Sequence, residues 1–95
     1  MSAYLIANVN IQNPDLYKNY SNQVLDTVVR YGGKFLVRGG KTDLLEGQWI
    51  PNRTVIIEFS DIDTLNAWYK SPEYQSIIGI RETAAISNVF SVEGI

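Results

Sequence analysis

Two charged residues stand inside short apolar runs, and both are residue types that could do chemistry. Arg38 closes the run Phe35-Leu36-Val37-Arg38, which lies between the glycine pairs Gly32-Gly33 and Gly39-Gly40; Glu58 stands in the run Arg53 to Phe59. A planar guanidinium in a partly dry cleft suits a small carboxylate, phosphate or enolate. A carboxylate in apolar surroundings has its pKa raised and becomes a candidate general base, whereas a neighbouring guanidinium pushes it the other way. If the chain reverses symmetrically about Gln48, Arg38 lies opposite Glu58 across a hairpin, and the pair is then either structural or a catalytic couple.

Other candidates gather around these two. Arg81 follows a helical pattern and either points into a cleft between helices and sheet or is a solvated arginine at the helix end. Arg53 opens a strand after a loop, where a surface position is expected. Tyr17 and Tyr20, with Trp68 and Tyr74 further on, either fill the core with polar tips at its edge or wall an aromatic pocket. Glu58 is thus the candidate catalytic residue, and Arg38, Arg81, Tyr17, Tyr20, Trp68 and Tyr74 are the candidate ligand-binding residues.

Much chemistry is excluded by composition. The chain has neither histidine nor cysteine. This removes the usual neutral-pH acid/base and disulfides and thiolates, and with them the usual transition-metal and haem ligands. No metal-ligand spacing is found, and no cofactor is expected. The glycine pairs match neither dinucleotide nor nucleotide-phosphate fingerprints. With a net charge of -2 and no basic run, nucleic acid is not an expected partner. No apolar stretch reaches the roughly 20 residues of a spanning helix, and the first residues alternate like a strand instead of forming a leader. A soluble cytoplasmic domain without a membrane partner is expected.

The elements that must position these residues can be read in order. Ala3 to Asn10 alternates as a strand. Asn13-Pro14-Asp15 is a helix start, with Asn as cap and Pro at the first turn, and Tyr17, Tyr20, Val24, Val28 and Tyr31 form one apolar stripe behind it. Gly32-Gly33 ends that helix. Strands are expected over Lys34 to Leu45 and Arg53 to Phe59. A second helix begins at Ser60-Asp61, with a capping box of Ser60 and Asp63. Ser71-Pro72-Glu73 breaks it and starts a third over Pro72 to Thr83. Ala85 to Glu93 is the last strand. The order β-α-β-β-α-β, with right-handed crossovers, gives a ferredoxin-like α+β domain over residues 1–95: one antiparallel four-stranded sheet with helices on one face. The other face would carry Tyr4, Ile6, Leu36, Ile56 and Val89, with Arg38 and Glu58. That is too apolar for free exposure, and a second copy of the chain is the expected cover.

Tyr17-x-x-Tyr20, GGKFLVRGG at Gly32 to Gly40, Glu46-Gly47, Arg53, Glu58-Phe59, AWYKSPEYQ at Ala67 to Gln75, Arg81 and Val92-Glu93-Gly94 occur in this order over nearly the whole chain. In this combination the sequence resembles the domain-of-unknown-function family 1330 of the dimeric α/β-barrel superfamily. The resemblance implies a ferredoxin-like protomer and a homodimer built through the sheets, and no defined activity. The wider superfamily includes cofactor-independent monooxygenases, lactone isomerases and haem-handling enzymes, so fold alone selects no function. Glu82 and Asn88 depart from the more basic or apolar character expected there, and the lack of histidine separates the chain from the haem-handling relatives. The function expected is a cleft for a small organic anion, serving a cofactor-independent isomerase or monooxygenase-like enzyme; the alternative is a non-catalytic ligand-sequestering or protein-interaction module whose dimer is the functional unit.

Overall fold

The computed structural model describes all 95 residues, Met1 to Ile95. Strand β1 (Ala3–Ile11) leads to helix α1 (Pro14–Arg30); β2 (Lys34–Arg38) and β3 (Arg53–Phe59) follow; then come α2 (Ile62–Lys70), α3 (Pro72–Ala84) and β4 (Ala85–Glu93). The strands form one antiparallel sheet in the order β2-β3-β1-β4. This is the expected ferredoxin-like α+β arrangement. No helix is long and apolar enough to cross a membrane.

The helix ends lie where the sequence places them. Asn13 caps α1 by accepting from the Leu16 N–H at 3.1 Å. At the other end, Gly32 at φ +73 lets its own N–H reach the Val29 carbonyl, and the Gly33 N–H reach that of Val28. These two bonds satisfy carbonyls that the last turn leaves open. Gly33 serves packing instead: a Cβ there would lie 2.6 Å from the Phe59 ring and 2.7 Å from Val28 Cγ1. Gly33→Ala is expected to cost about 1–3 kcal/mol by overpacking, read as a lower urea midpoint with an unchanged slope.

One cap differs from expectation. Asp61, not Ser60, caps α2, accepting from the Thr64 N–H at 2.7 Å. Ser71 joins α2 to α3: its hydroxyl donates to the Trp68 carbonyl at 2.7 Å and accepts from the Tyr74 N–H at 3.1 Å. The break at Ser71-Pro72 therefore sets Trp68 and Tyr74 side by side, with ring centroids 4.2 Å apart.

The core lies between the helices and the inward sheet face, where Leu5, Ala7 and Val9 of β1 and Val55, Ile57 and Phe59 of β3 are buried. Trp68 is fully buried, and its indole N–H donates to Thr27 Oγ1 at 3.0 Å. The outward face carries Tyr4, Ile6, Ile56, Phe90 and Val92. Phe90 is 56% and Val92 44% exposed. Val89, expected on that face, pairs with Ala7 and points to the helices. The same two-residue period that puts Ile86, Phe90 and Val92 outward puts Val89 inward with Ser87 and Ser91.

The hairpin departs most from expectation. Strand β2 ends at Arg38, well short of Leu45, and residues 39–52 form an irregular loop in which Leu45, Trp49 and Ile50 are exposed. The loop is tied back to β1 by Asn8, which exchanges two hydrogen bonds with Asn52.

Candidate functional site

The register of β2 on β3 decides what Arg38 and Glu58 do. Lys34 pairs with Glu58 and Phe35 with Ile57, but Val37 pairs with Ile56 and Arg38 with Val55, so Leu36 is an extra residue in a β-bulge. A bulge shifts every later side chain to the opposite face. Arg38 is thereby turned to the helix side, the same side as Phe35. The expected Arg38–Glu58 pair does not form. Glu58 stands on the outward face, where its carboxylate accepts from the Tyr4 hydroxyl at 3.1 Å. It is not among the residues of the cleft described next.

Between α1, α3 and the inward sheet face lies a narrow cavity of about 30 Å³, room for roughly two waters. Arg38, Arg53, Arg81, Tyr17, Tyr20 and Tyr74 supply its polar groups, along with Ser21; Trp68 and apolar strand residues supply most of the rest. Six of the seven candidate residues thus meet in one place, and Arg53 joins them. No carboxylate lines the cavity.

Each arginine is held by a different local feature. Arg38 Nη2 donates to the Ser21 carbonyl at 2.7 Å, and its guanidinium lies 4.5 Å over the Phe35 ring. It bridges the sheet edge to α1 and closes that side of the cleft. Arg53 points inward because it shares the period of Val55 and Ile57; its guanidinium stands 5.7 Å from the Tyr17 ring. Its Nε is buried and has no hydrogen-bond partner. Gly39 makes the room: it sits at φ +76, and a Cβ there would collide with Arg53 Nη1. The expected surface position of Arg53 is therefore corrected. The signal was present in the strand alternation, but the loop before it masked it.

Arg81 is 8% exposed and lies 5.9 Å from the Tyr20 ring. The protein's one ion pair is elsewhere, between Arg30 and Glu73 at 3.8 Å. Burial works to lower the Arg81 pKa, but Tyr74, Tyr20 and Tyr69 around it hold it above its ordinary value. It is a charged group in low dielectric without a carboxylate.

The Tyr20 and Tyr74 hydroxyls lie 2.8 Å apart, and either can donate. Burial, and then the nearby Tyr74, push the Tyr20 pKa far above its ordinary 10.0. Tyr20 is thus a neutral donor at working pH and a poor base. Since its folded pKa is raised, stability is intact below the unfolded value and is lost as pH rises past about 10. Urea midpoints measured between pH 8 and 11 are expected to fall more steeply for the wild type than for Tyr20→Phe.

These groups can hold negative charge against an apolar wall. No group of three or more acidic side chains is placed to hold a metal ion.

Solved structures of similar fold differ widely in sequence. A protein of unknown function from Rhodopseudomonas palustris shares 17% identity at a TM-score of 0.80, over 99% of this chain and 82% of that one. A dimeric ferredoxin-like protein of unknown function from Jannaschia sp. CCS1 shares 15% at 0.76, over 99% and 100%. SnoaB, a cofactor-independent oxygenase from Streptomyces nogalater, shares 14% at 0.69, over 99% and 93%. At these identities the likeness is one of fold. No curated protein matches the chain. The model of the family described as Domain of unknown function (DUF1330) matches residues 2–95, and the protein belongs to that family.

Proposed function

We propose that the protein is a small homodimeric domain that binds a small organic anion in the cleft between its helices and its sheet. The observation that carries this reading is the polar lining: three arginines and a tyrosine hydroxyl pair, without a carboxylate. Guanidiniums without a carboxylate partner in a partly dry site favour an anion, and the apolar wall favours one with an apolar body. The cavity is small, so a ligand beyond a head group enters only when Arg38 leaves the Ser21 carbonyl.

The second copy is supported by the outward sheet face. Phe90, Val92 and Ile86, the last 66% exposed, extend an apolar surface over one edge of the sheet. Packing against the same face of a partner covers it, and the Jannaschia relative is described as dimeric.

The lining also bears on turnover. SnoaB, similar in fold, is a cofactor-independent oxygenase. In this chain the cleft lacks a carboxylate or histidine base, and Tyr20 is held neutral. The cleft residues suit stabilising an anion that has already ionised, and not abstracting a proton. Ligand binding is therefore the first reading, with catalysis limited to substrates acidic enough to arrive as enolates or phenolates. Native mass spectrometry on gently purified protein is expected to give a dimer carrying an acidic small molecule that Arg81→Gln fails to retain. A monomer, or a retained mass indifferent to Arg81, would contradict it.

A further inference from the structure

Charge around the cleft is arranged at two ends. On the α3 side stands Arg81, buried and without a carboxylate. On the hairpin side stands Arg53, whose buried Nε has no partner and whose space is cleared by Gly39. Each guanidinium faces one of two consecutive rings of the α1 stripe, Arg81 at Tyr20 and Arg53 at Tyr17, and those rings are themselves 5.5 Å apart. Arg38 is accounted for, since it holds the Ser21 carbonyl and stacks on Phe35. The sheet wall of the cleft includes the aliphatic side chains of Leu5, Ala7, Val55 and Ile57.

One acidic group satisfies one end only. A monoanion at Arg81 leaves the Arg53 Nε unpaired, and the reverse leaves Arg81 without an anionic partner; both are unfavourable in a water-poor site. We infer that the cleft, once Arg38 has left the Ser21 carbonyl and widened it, recognises a two-headed acid, with one carboxylate at Arg81, a second at Arg53 and a short apolar segment lying along Tyr17 and Tyr20. This inference rests on the reading of the cleft as an anion site and specifies the class of anion.

The test compares diacids with the monoacids that lack one head. Succinate, adipate, suberate and terephthalate are titrated calorimetrically against butyrate, hexanoate, octanoate and 4-methylbenzoate at fixed salt. At least one diacid is expected to bind about 30-fold more tightly than its monoacid, the effect of one charge-assisted contact. Arg53→Gln should bring that diacid to within about threefold of its monoacid by weakening the diacid far more than the monoacid, whereas Arg53→Lys should keep part of the difference. Thermal melts of both variants establish that they are folded. Equal affinity of diacids and monoacids, or an Arg53→Gln effect of the same size on both, would overturn the two-headed ligand and leave the anion site standing. Absence of binding by every acid in the series would overturn both.

Discussion

Arg81→Met is expected to abolish anion binding and, in the same protein, to raise the stability of the ligand-free state. Both effects have one cause. Arg81 is buried on α3 with aromatic rings around it and no carboxylate. Tyr74, Tyr20 and Tyr69 favour its charged form, but a buried guanidinium without a carboxylate still bears the cost of its lost hydration, and the stack against Tyr20 recovers only about 1 kcal/mol of it. A methionine of similar length fills the space without the charge, so a gain of about 1–3 kcal/mol is expected. In a chain of this size that is a rise of roughly 4–8 °C in Tm for each kcal/mol. Affinity for an anion should fall by about 100-fold as the charge-assisted contacts are lost. A guanidinium kept for structure alone would show the opposite sign: Arg81→Met would melt lower.

Trp68→Ala is expected to have the largest effect on stability. The indole is fully buried, lies against Phe59 at 5.3 Å and Tyr74 at 4.2 Å between ring centroids, and donates to Thr27. Removing it opens a cavity at the junction of α2, α3 and the sheet and leaves the Thr27 hydroxyl oxygen without its donor, a loss of about 3–5 kcal/mol. Trp68→Phe keeps most of the volume and should cost much less. Because Trp68 also supports Tyr74 and hence its contact with Tyr20, Trp68→Phe is expected to weaken anion binding more than its small stability cost suggests. A thermal melt and a binding titration on the same samples separate the two effects.

The fold was legible because each element announces itself locally. Asn13-Pro14, Gly32-Gly33 and Ser71-Pro72 mark helix ends by chemistry that acts within a few residues, and the boundaries of α3 and β4 follow from them. The tyrosine stripe of α1 likewise fixed which side faces the sheet. The site was legible in its residue types but not in its geometry. Strict alternation from Phe35 turns Arg38 away from the helices; one extra residue at Leu36 turns it back. A bulge depends on pairing between strands, which local propensity does not encode. The pairing of Arg38 with Glu58 failed for the same reason, with Lys34 taking the place opposite Glu58. Arg53, expected at the surface, turns inward into room left by Gly39, fourteen residues earlier in the chain and beside it in space. Glu58 drew attention as a carboxylate in an apolar run, but such a run in an antiparallel sheet has two faces, and Glu58 lies on the one that faces away from the cleft.

The central claim, that the cleft under α1 and α3 holds an anion, is tested most directly by a fluorescence titration in a Trp49→Phe background. Trp49 lies in the exposed loop, so its removal leaves Trp68, in the cleft wall, as the sole reporter. A saturable change in Trp68 emission on adding 4-methylbenzoate or terephthalate, absent when Arg81→Met is added and weakened by rising salt, is the predicted result. An emission spectrum unmoved by either acid at millimolar concentration, or moved equally with and without Arg81, would contradict the account.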